Sequence, residues 1–333
     1  MPVSSTTPAP TVSEFGPLRR NVQQLGLLER RGRSYAAGIG FNLLLIAGLI
    51  AAMVGTGNSW LQLLLAVPAG VLTTRTAFIG HDAGHQQIGT TRRANRLLGL
   101  IHGNLMIGLS YSWWTHKHNR HHANPNHVEK DPDVGTGALV WTPEQARSRK
   151  SGWGRRIAAH QAKFFFPLLL LEGLNLKVAS ALHVWRGRLR TEAALLFTHY
   201  AGYVTFLLLI MSPGHAAAFF LVHQAILGIH LGCAFAPNHK GMPMPGPEEK
   251  WDHLHRQVLT SRNVRGGPIT DWLLGGLNYQ IEHHLFPNMP RMNLRRAQPV
   301  IRRYCTGIGL PYTETGLLES YRDALRHLSR VGS

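Results

Sequence analysis

The sequence predicts an all-α membrane protein: four transmembrane helices paired as two hairpins, with a cytoplasmic helical cap that holds a dimetal site. Three observations lead there. Apolar residues gather in blocks, several of them long enough to span a bilayer. The 35 Lys and Arg, set against 17 Asp and Glu, lie almost entirely between those blocks. Of the 20 histidines, eight fall in short boxes outside the apolar blocks.

A formal charge of +18 also suits a nucleic-acid binder. Basic residues confined to the segments between apolar blocks instead mark the cytoplasmic loops of a membrane protein, so no nucleic-acid role is expected. The chain begins MPVSSTTPAPTVSE, which has no apolar core and does not read as a signal peptide. Residues 1–34 are expected to be a flexible cytoplasmic leader, 35–310 the membrane domain with its cap, and 311–333 a helical tail.

The first hairpin comprises residues 36–54 and 59–79, the latter carrying Arg75 near its far end. Residues 194–211 and 216–236 form the second. The connections, Gly55 to Asn58 and Ser212 to His215, contain no Lys or Arg. By contrast, residues 1–35 carry five Arg against two Glu, 80–193 carry 16 basic residues against seven acidic, and 237–333 carry 13 against eight. The positive-inside rule puts these three segments, and hence both termini and all the histidine boxes, on the cytoplasmic side. Two weaker apolar stretches, 97–112 and 164–182, are interrupted by His102, Pro167, Glu172 and Lys177. They read as helices lying in the interface. Counting them as spans gives the alternative, a six-span protein.

His81 and His85 in HDAGH are four apart and share one helical face. His118, His121 and His122 in HNRHH share a face by their i, i+3, i+4 spacing. His283 and His284 in QIEHH repeat the end of that pattern, with Gln280 in the leading place. His239 follows Asn238 just after the last apolar block. Pro125 and Pro287 stand three residues after their histidine pairs and are expected to end the box helices. A lone HxxxH is usually a surface pair. Eight histidines from four segments on one side of the membrane are too many for one metal and suit two. The only cysteines, Cys233 and Cys305, form no CxxC pair, which excludes a disulfide scaffold or a Cys-rich zinc module.

HDAGH, WWTHKHNRHHANPN and GGLNYQIEHHLFP, in this span order, resemble the membrane fatty acyl desaturase family. The Gln that opens the third box resembles its front-end, linoleoyl-CoA branch. The resemblance covers roughly residues 35–310. It implies two iron ions held by His81, His85, His118, His121, His122, His239, His283 and His284, with O2 as co-substrate. It also implies a cis double bond introduced into an acyl-CoA or acyl-lipid chain. Gln280 and Asn238 are candidates for a weak or water-mediated ligand. Asp82 and Glu282, inside their boxes, are candidates for orienting imidazoles from behind.

The chain carries no HPGG segment, no GxGxxG fingerprint and no CxxC pair. Electrons are therefore expected from a separate ferredoxin or cytochrome with its reductase. His116, His127, His253 and His255 are expected to play no ligand role. His223 and His230, seven apart in the fourth span, either line an acyl channel or bond across helices. Trp113 and Trp114 are expected at the membrane interface. A related hydroxylase, ketolase or alkane monooxygenase would use the same boxes, and product analysis separates them. A metal transporter or sensor would place ionisable groups inside the spans.

Overall fold

The computed structural model describes residues 14–135, 137–149 and 152–332. Helix α1 (Phe15–Gln24) precedes α2 (Gly32–Thr56) and α3 (Gln62–Gly84), which form the first hairpin. Helix α4 (Arg92–Gly99) runs on as a π-helical segment, Leu100–Ile107, before α5 (Tyr111–Ala123). The short α6 (Pro143–Arg147) and α7 (Gly152–Ala159) lead to α8 (Gln161–Arg186). Helices α9 (Arg190–Ile210) and α10 (Pro213–His239) form the second hairpin. The remainder comprises α11 (His253–Leu259), β1 (Asn263–Arg265), α12 (Pro268–Leu273), α13 (Gln280–Leu285), α14 (Arg291–Gly307), β2 (Glu314–Gly316) and α15 (Leu317–Gly332). The strands among the described residues are the parallel pair β1–β2, with Val264 opposite Thr315.

Five helices, α2, α3, α8, α9 and α10, are long and apolar enough to cross a bilayer, one more than the sequence analysis counted. The extra one is α8, which runs unbroken for 26 residues through Pro167. The two hairpins stand side by side with their turns together. Asn58 Oδ1 accepts from the backbone N–H of Ser212 at 2.8 Å and from His215 Nδ1 at 2.6 Å. Below that contact Met53, Ala66, Leu207, Met211 and Phe219 form a common core.

Two expectations are corrected. From Phe15 onward the leader is not loose. Leu18, Val22 and Leu27 are buried against Leu254, Ile281, Leu285 and Ile301 of the cap. The apolar spacing on α1 gives it a face to bury; residues 1–13 lie outside the described residues. The stretch 97–112 does not lie flat either. It dips back along α3 and between α3 and α9, with His102, Asn104 and Ile107 buried.

A helix end inside an apolar layer must satisfy its last carbonyls from somewhere. Here α8 and α9 supply the donors. His199 Nδ1 donates to Leu105 O at 2.9 Å, Lys177 Nζ to Ile107 O, and Tyr200 OH to Gly108 O at 2.7 Å. The end of α12 is served the same way, by Arg75 to Trp272 O and by His230 to Leu273 O at 2.7 Å. Lys177, His199, Tyr200, Arg75 and His230, inside the apolar helices, thus complete backbone hydrogen bonding. A cation at a helix C-terminus also meets the negative end of its dipole.

Two glycines are required by this arrangement. Gly108 turns the chain at φ 70°, and a Cβ there would lie 2.4 Å from the His199 ring. Gly228 brings α10 against α8 so closely that a Cβ would lie 2.3 Å from Leu169 O. Gly108→Ala is expected to cost at least about 1–2 kcal/mol from the left-handed backbone alone. A lowered melting temperature in detergent checks this; an unchanged one contradicts the pinned turn.

Candidate metal centre

The first box ends α3, the second closes α5, His239 ends α10, and the third forms α13. Because α3 and α10 both finish at the cap, and α5 and α13 lie across them, all eight imidazoles meet in one buried cluster. The box helices stop as their prolines require, at Ala123 and Leu285.

The ligand atoms sort into two groups. Those of His81, His85, His118 and His283 all lie within 4.8 Å of one another, and so do those of His121, His239 and His284. His122 belongs to neither group and sits between them. Its ring stacks on His284 at 4.2 Å and stands 4.6 Å from His85, and its Nε2 is 3.1 Å from His118 Nε2.

Proton positions follow from the partners behind each ring. His239 Nδ1 faces the carbonyl of Thr260 at 2.9 Å, so it carries the hydrogen. His284 Nδ1 faces Gln257 Oε1 at 2.9 Å, and the Gln257 amide is held that way round by its own donation to His122 O. His121 Nδ1 lies 2.9 Å from the Asp131 carboxylate. With Nδ1 carrying the hydrogen, the Nε2 atoms of His239 and His284 are left as acceptors or ligands. Yet His239 Nε2 stands 3.1 Å from His284 Nε2 and 3.3 Å from His121 Nε2. Nitrogens at that distance need a hydrogen or a cation between them.

In the other group, the Nε2 atoms of His81, His85 and His283 are buried with no protein partner. His81 Nδ1 is backed by Asp82 at 3.1 Å. A ring nitrogen tied to an acceptor behind, with its mate aimed inward, is the usual arrangement of a metal-binding imidazole. Metal–nitrogen bonds of about 2.1 Å would hold ligand atoms up to about 4.2 Å apart, so both groups are close to closing on an ion. The donor set suits iron, zinc, copper or nickel.

Burial, and then the neighbouring imidazoles, hold the proton affinities of His85, His118, His122, His283 and His284 well below the ordinary histidine value. These rings are neutral in the folded chain, as ligands must be.

Around the cluster, Asp82 also accepts from Tyr35 OH at 2.8 Å and pairs with Arg291, tying the first box to α2 and α14. Glu282 does not orient an imidazole. Its carboxyl turns away to accept from Tyr312 OH and Asn263 Nδ2, both at 2.7 Å, and burial pushes it up to about 7. Gln280 reaches the second group, its Nε2 donating to His239 Nε2 at 2.8 Å. Asn238 lies behind it, donating to Gln280 Oε1 at 3.3 Å.

Among the other histidines, His127 is buried apart from the cluster and its Nδ1 accepts from Glu129 N–H. His253 packs on Phe15, and His255 pairs with Asp252. His223 lies between Thr73 and Tyr203, at 2.9 and 2.7 Å. Trp114 corrects an expectation: it stacks on His118 at 4.4 Å instead of facing lipid.

Sequence reasoning did not find Asp131, Gln257 or Thr260. Asp131 is 3% exposed and is itself held by the N–H groups of Asn126 and Asp133. An acidic pair a few residues after HNRHH was the one available signal. Beside the cluster opens a largely apolar cavity of about 300 Å³, lined by His81, His118, His121, His239 and Gln280 at one part and by Ile107, Leu109, Leu176 and Leu231 at another.

Buried neutral imidazoles in two groups, at the end of two helical hairpins and beside an apolar cavity, define a membrane enzyme that works on apolar chains. The comparison with known proteins narrows this. Residues 58–316 match the fatty acid desaturase family, and the chain belongs to it. It is 26% identical over 332 residues to a Delta(8)-fatty-acid desaturase of Helianthus annuus, covering 95% of this chain and 72% of that one. It is 30% identical over 293 residues to an acyl-lipid (9-3)-desaturase of Physcomitrium patens, covering 82% and 54%. A Delta(6)-fatty-acid desaturase of Caenorhabditis elegans is 29% identical over 270 residues, covering 76% and 61%. The protein is thus a fatty acid desaturase, an oxidoreductase, of the front-end branch.

The neutral state of the cluster has a pH signature. In the unfolded chain these histidines titrate near their ordinary 6.5. The folded values are lower, so below 6.5 the unfolded state takes up protons that the native state refuses. Stability is therefore full above that pH and falls as pH drops. Protein stripped with a chelator is expected to melt progressively lower between about pH 7 and pH 5. A flat melting temperature across that window contradicts buried neutral imidazoles.

Proposed function

We propose that His81, His85, His118 and His283 hold one iron, that His121, His239 and His284 hold a second, and that His122 bridges the space between the two groups. The observation that carries this is the gathering of the ring nitrogens into two groups, each within 4.8 Å, with the Nε2 atoms of His81, His85 and His283 buried without a protein partner. When bound, the iron pair would supply the oxidising power that, with O2 as co-substrate, removes two hydrogens from an unactivated alkyl chain. Balance requires two electrons and two protons from outside, leaving one C=C bond and two waters.

The chain's own contribution is positioning. The acyl chain lies in the apolar cavity, with His81, His118, His121, His239 and Gln280 on its wall. Asp82, Asp131, Gln257 and the Thr260 carbonyl fix ring orientation. At the cytoplasmic part of the cavity Lys240 stacks on Trp141 at 4.0 Å, and Lys117 pairs with Asp133. These cations suit the polar head of an acyl-CoA or acyl-lipid.

Four crossings fit this site better than five. His118 to His122 precede α8 and His239 ends α10, yet both belong to one cluster. The chain between them must therefore cross an even number of times, which α9 and α10 supply, leaving α8 along the interface. The basic segments support a cytoplasmic side for that cluster and both termini. Expression with a redox partner, followed by mass spectrometry of host fatty acids, tests the assignment. New double bonds that disappear in His284→Ala together with about half of the iron support it. Full iron and turnover in His284→Ala contradict it.

Gln280 is positioned to act on the second group. To free the His239 lone pair for iron, its amide must turn over or admit a water. Gln280→Ala is expected to retain most of the iron and lose turnover, whereas Gln280→His retains iron with altered reactivity. Wild-type turnover in both variants removes the amide from the mechanism.

Electrons come from a separate carrier, and an acidic one suits a chain of +18. Screening lengths fall to about 8 Å at physiological salt. Turnover limited by such a ferredoxin or cytochrome should slow as salt rises, and a salt-independent rate contradicts docking on the basic face.

A further inference from the structure

Behind the first cavity lies a second, of about 390 Å³, lined by α2, α3, α8, α9, α10 and the π-helical segment Leu100–Ile107, the re-entrant helix. The order of lining residues along α10 shows how the two relate. The first cavity uses Lys240, His239, Phe235 and Leu231; the second uses Gln224, His223, Phe220 and Phe219. Leu231 lies eight residues below His239, about 12 Å at 1.5 Å per residue. The second cavity therefore continues the first, deeper along the same helix.

Ile107 is the one residue lining both. It is the last residue of the re-entrant helix and is 4% exposed. The backbone that carries it is not free to drift. Lys177 holds its own carbonyl, Tyr200 holds that of Gly108, and His199 holds that of Leu105. Leu109 N–H closes the turn onto Gly103 O at 2.9 Å. Ile107, a branched side chain on a pinned backbone, thus stands where two apolar spaces meet.

We propose that Ile107 sets the length of acyl chain the enzyme accepts, by stopping the methyl end at the floor of the first cavity. The space behind it is room that a longer chain would occupy once the side chain is cut back. This rests on the first cavity being the acyl site. Lys177 is a positioning residue here: it acts by holding the backbone of Ile107 in place at the edge of the second cavity.

The test uses the full chain, expressed with its redox partner in cells fed palmitate, stearate, icosanoate and docosanoate. Unsaturated products are measured by mass spectrometry and normalised to protein and iron. Ile107→Ala is expected to raise conversion of icosanoyl relative to palmitoyl chains about tenfold, the discrimination a methylene or two provides in an apolar pocket. Ile107→Phe, which tests the same wall without cutting a hole, shifts preference toward shorter chains. Phe206→Ala, in the second cavity alone, leaves the profile unchanged by itself and lengthens it further when combined with Ile107→Ala. Unchanged length profiles in both Ile107 variants at wild-type iron overturn the proposal, as does a shift produced by Phe206→Ala alone. Leu176→Trp separates this from the underlying reading, because it fills the first cavity and should abolish turnover. Full activity in Leu176→Trp would mean that the acyl chain lies elsewhere.

Discussion

His239 Nε2 lies 3.1 Å from His284 Nε2 and 3.3 Å from His121 Nε2, three imidazoles brought together from three separate helices. Crowding imidazole nitrogens in a buried site is unfavourable unless a hydrogen or a cation lies between them, and the arrangement fits the ligand set of a cationic centre. Much of the cap serves this contact. Helix α11 supplies Gln257, the turn after it supplies the Thr260 carbonyl, and the loop after α5 supplies Asp131. Helix α14 supplies Arg291, which braces Asp82 behind the first box. The core of Leu18, Leu254, Ile281 and Ile301 holds α1, α11, α13 and α14 in mutual register, which is what lets the third box reach the second.

A second constraint is the cost of bare backbone carbonyls in an apolar layer. Two short segments end there, the re-entrant helix and α12, and each recruits side chains from the long helices. This accounts for Lys177, His199, Arg75 and His230, groups that in a transporter would mark an ion path. Their partners are backbone oxygens, so these four groups are structural. The same pinning gives the acyl cavity a floor at a defined depth below the imidazoles.

The two hairpins and the eight histidines were legible because each rests on local pattern: apolar run length, charge between runs, and i, i+3, i+4 spacing. The groups behind the imidazoles were not. Asp131 lies 10 residues from His121, and Gln257 lies 27 from His284, separations with no periodicity to betray them. Residues 97–112 have the composition of an interfacial helix whether they lie flat or dip, and only the donors on α9 decide between the two. For α1, the apolar face of Leu18 and Val22 was visible, but its partners sit more than two hundred residues away. Glu282 misled for the opposite reason. Adjacency to His283 in sequence put it on the other side of a one-and-a-half-turn helix, among Asn263 and Tyr312.

Anomalous diffraction at the iron edge, on crystals of protein purified without chelator, tests the central claim most directly. Two peaks are expected, one among His81, His85, His118 and His283 and the other among His121, His239 and His284. A single peak, or density that appears only at the zinc edge, would contradict a pair of irons held by the two imidazole groups.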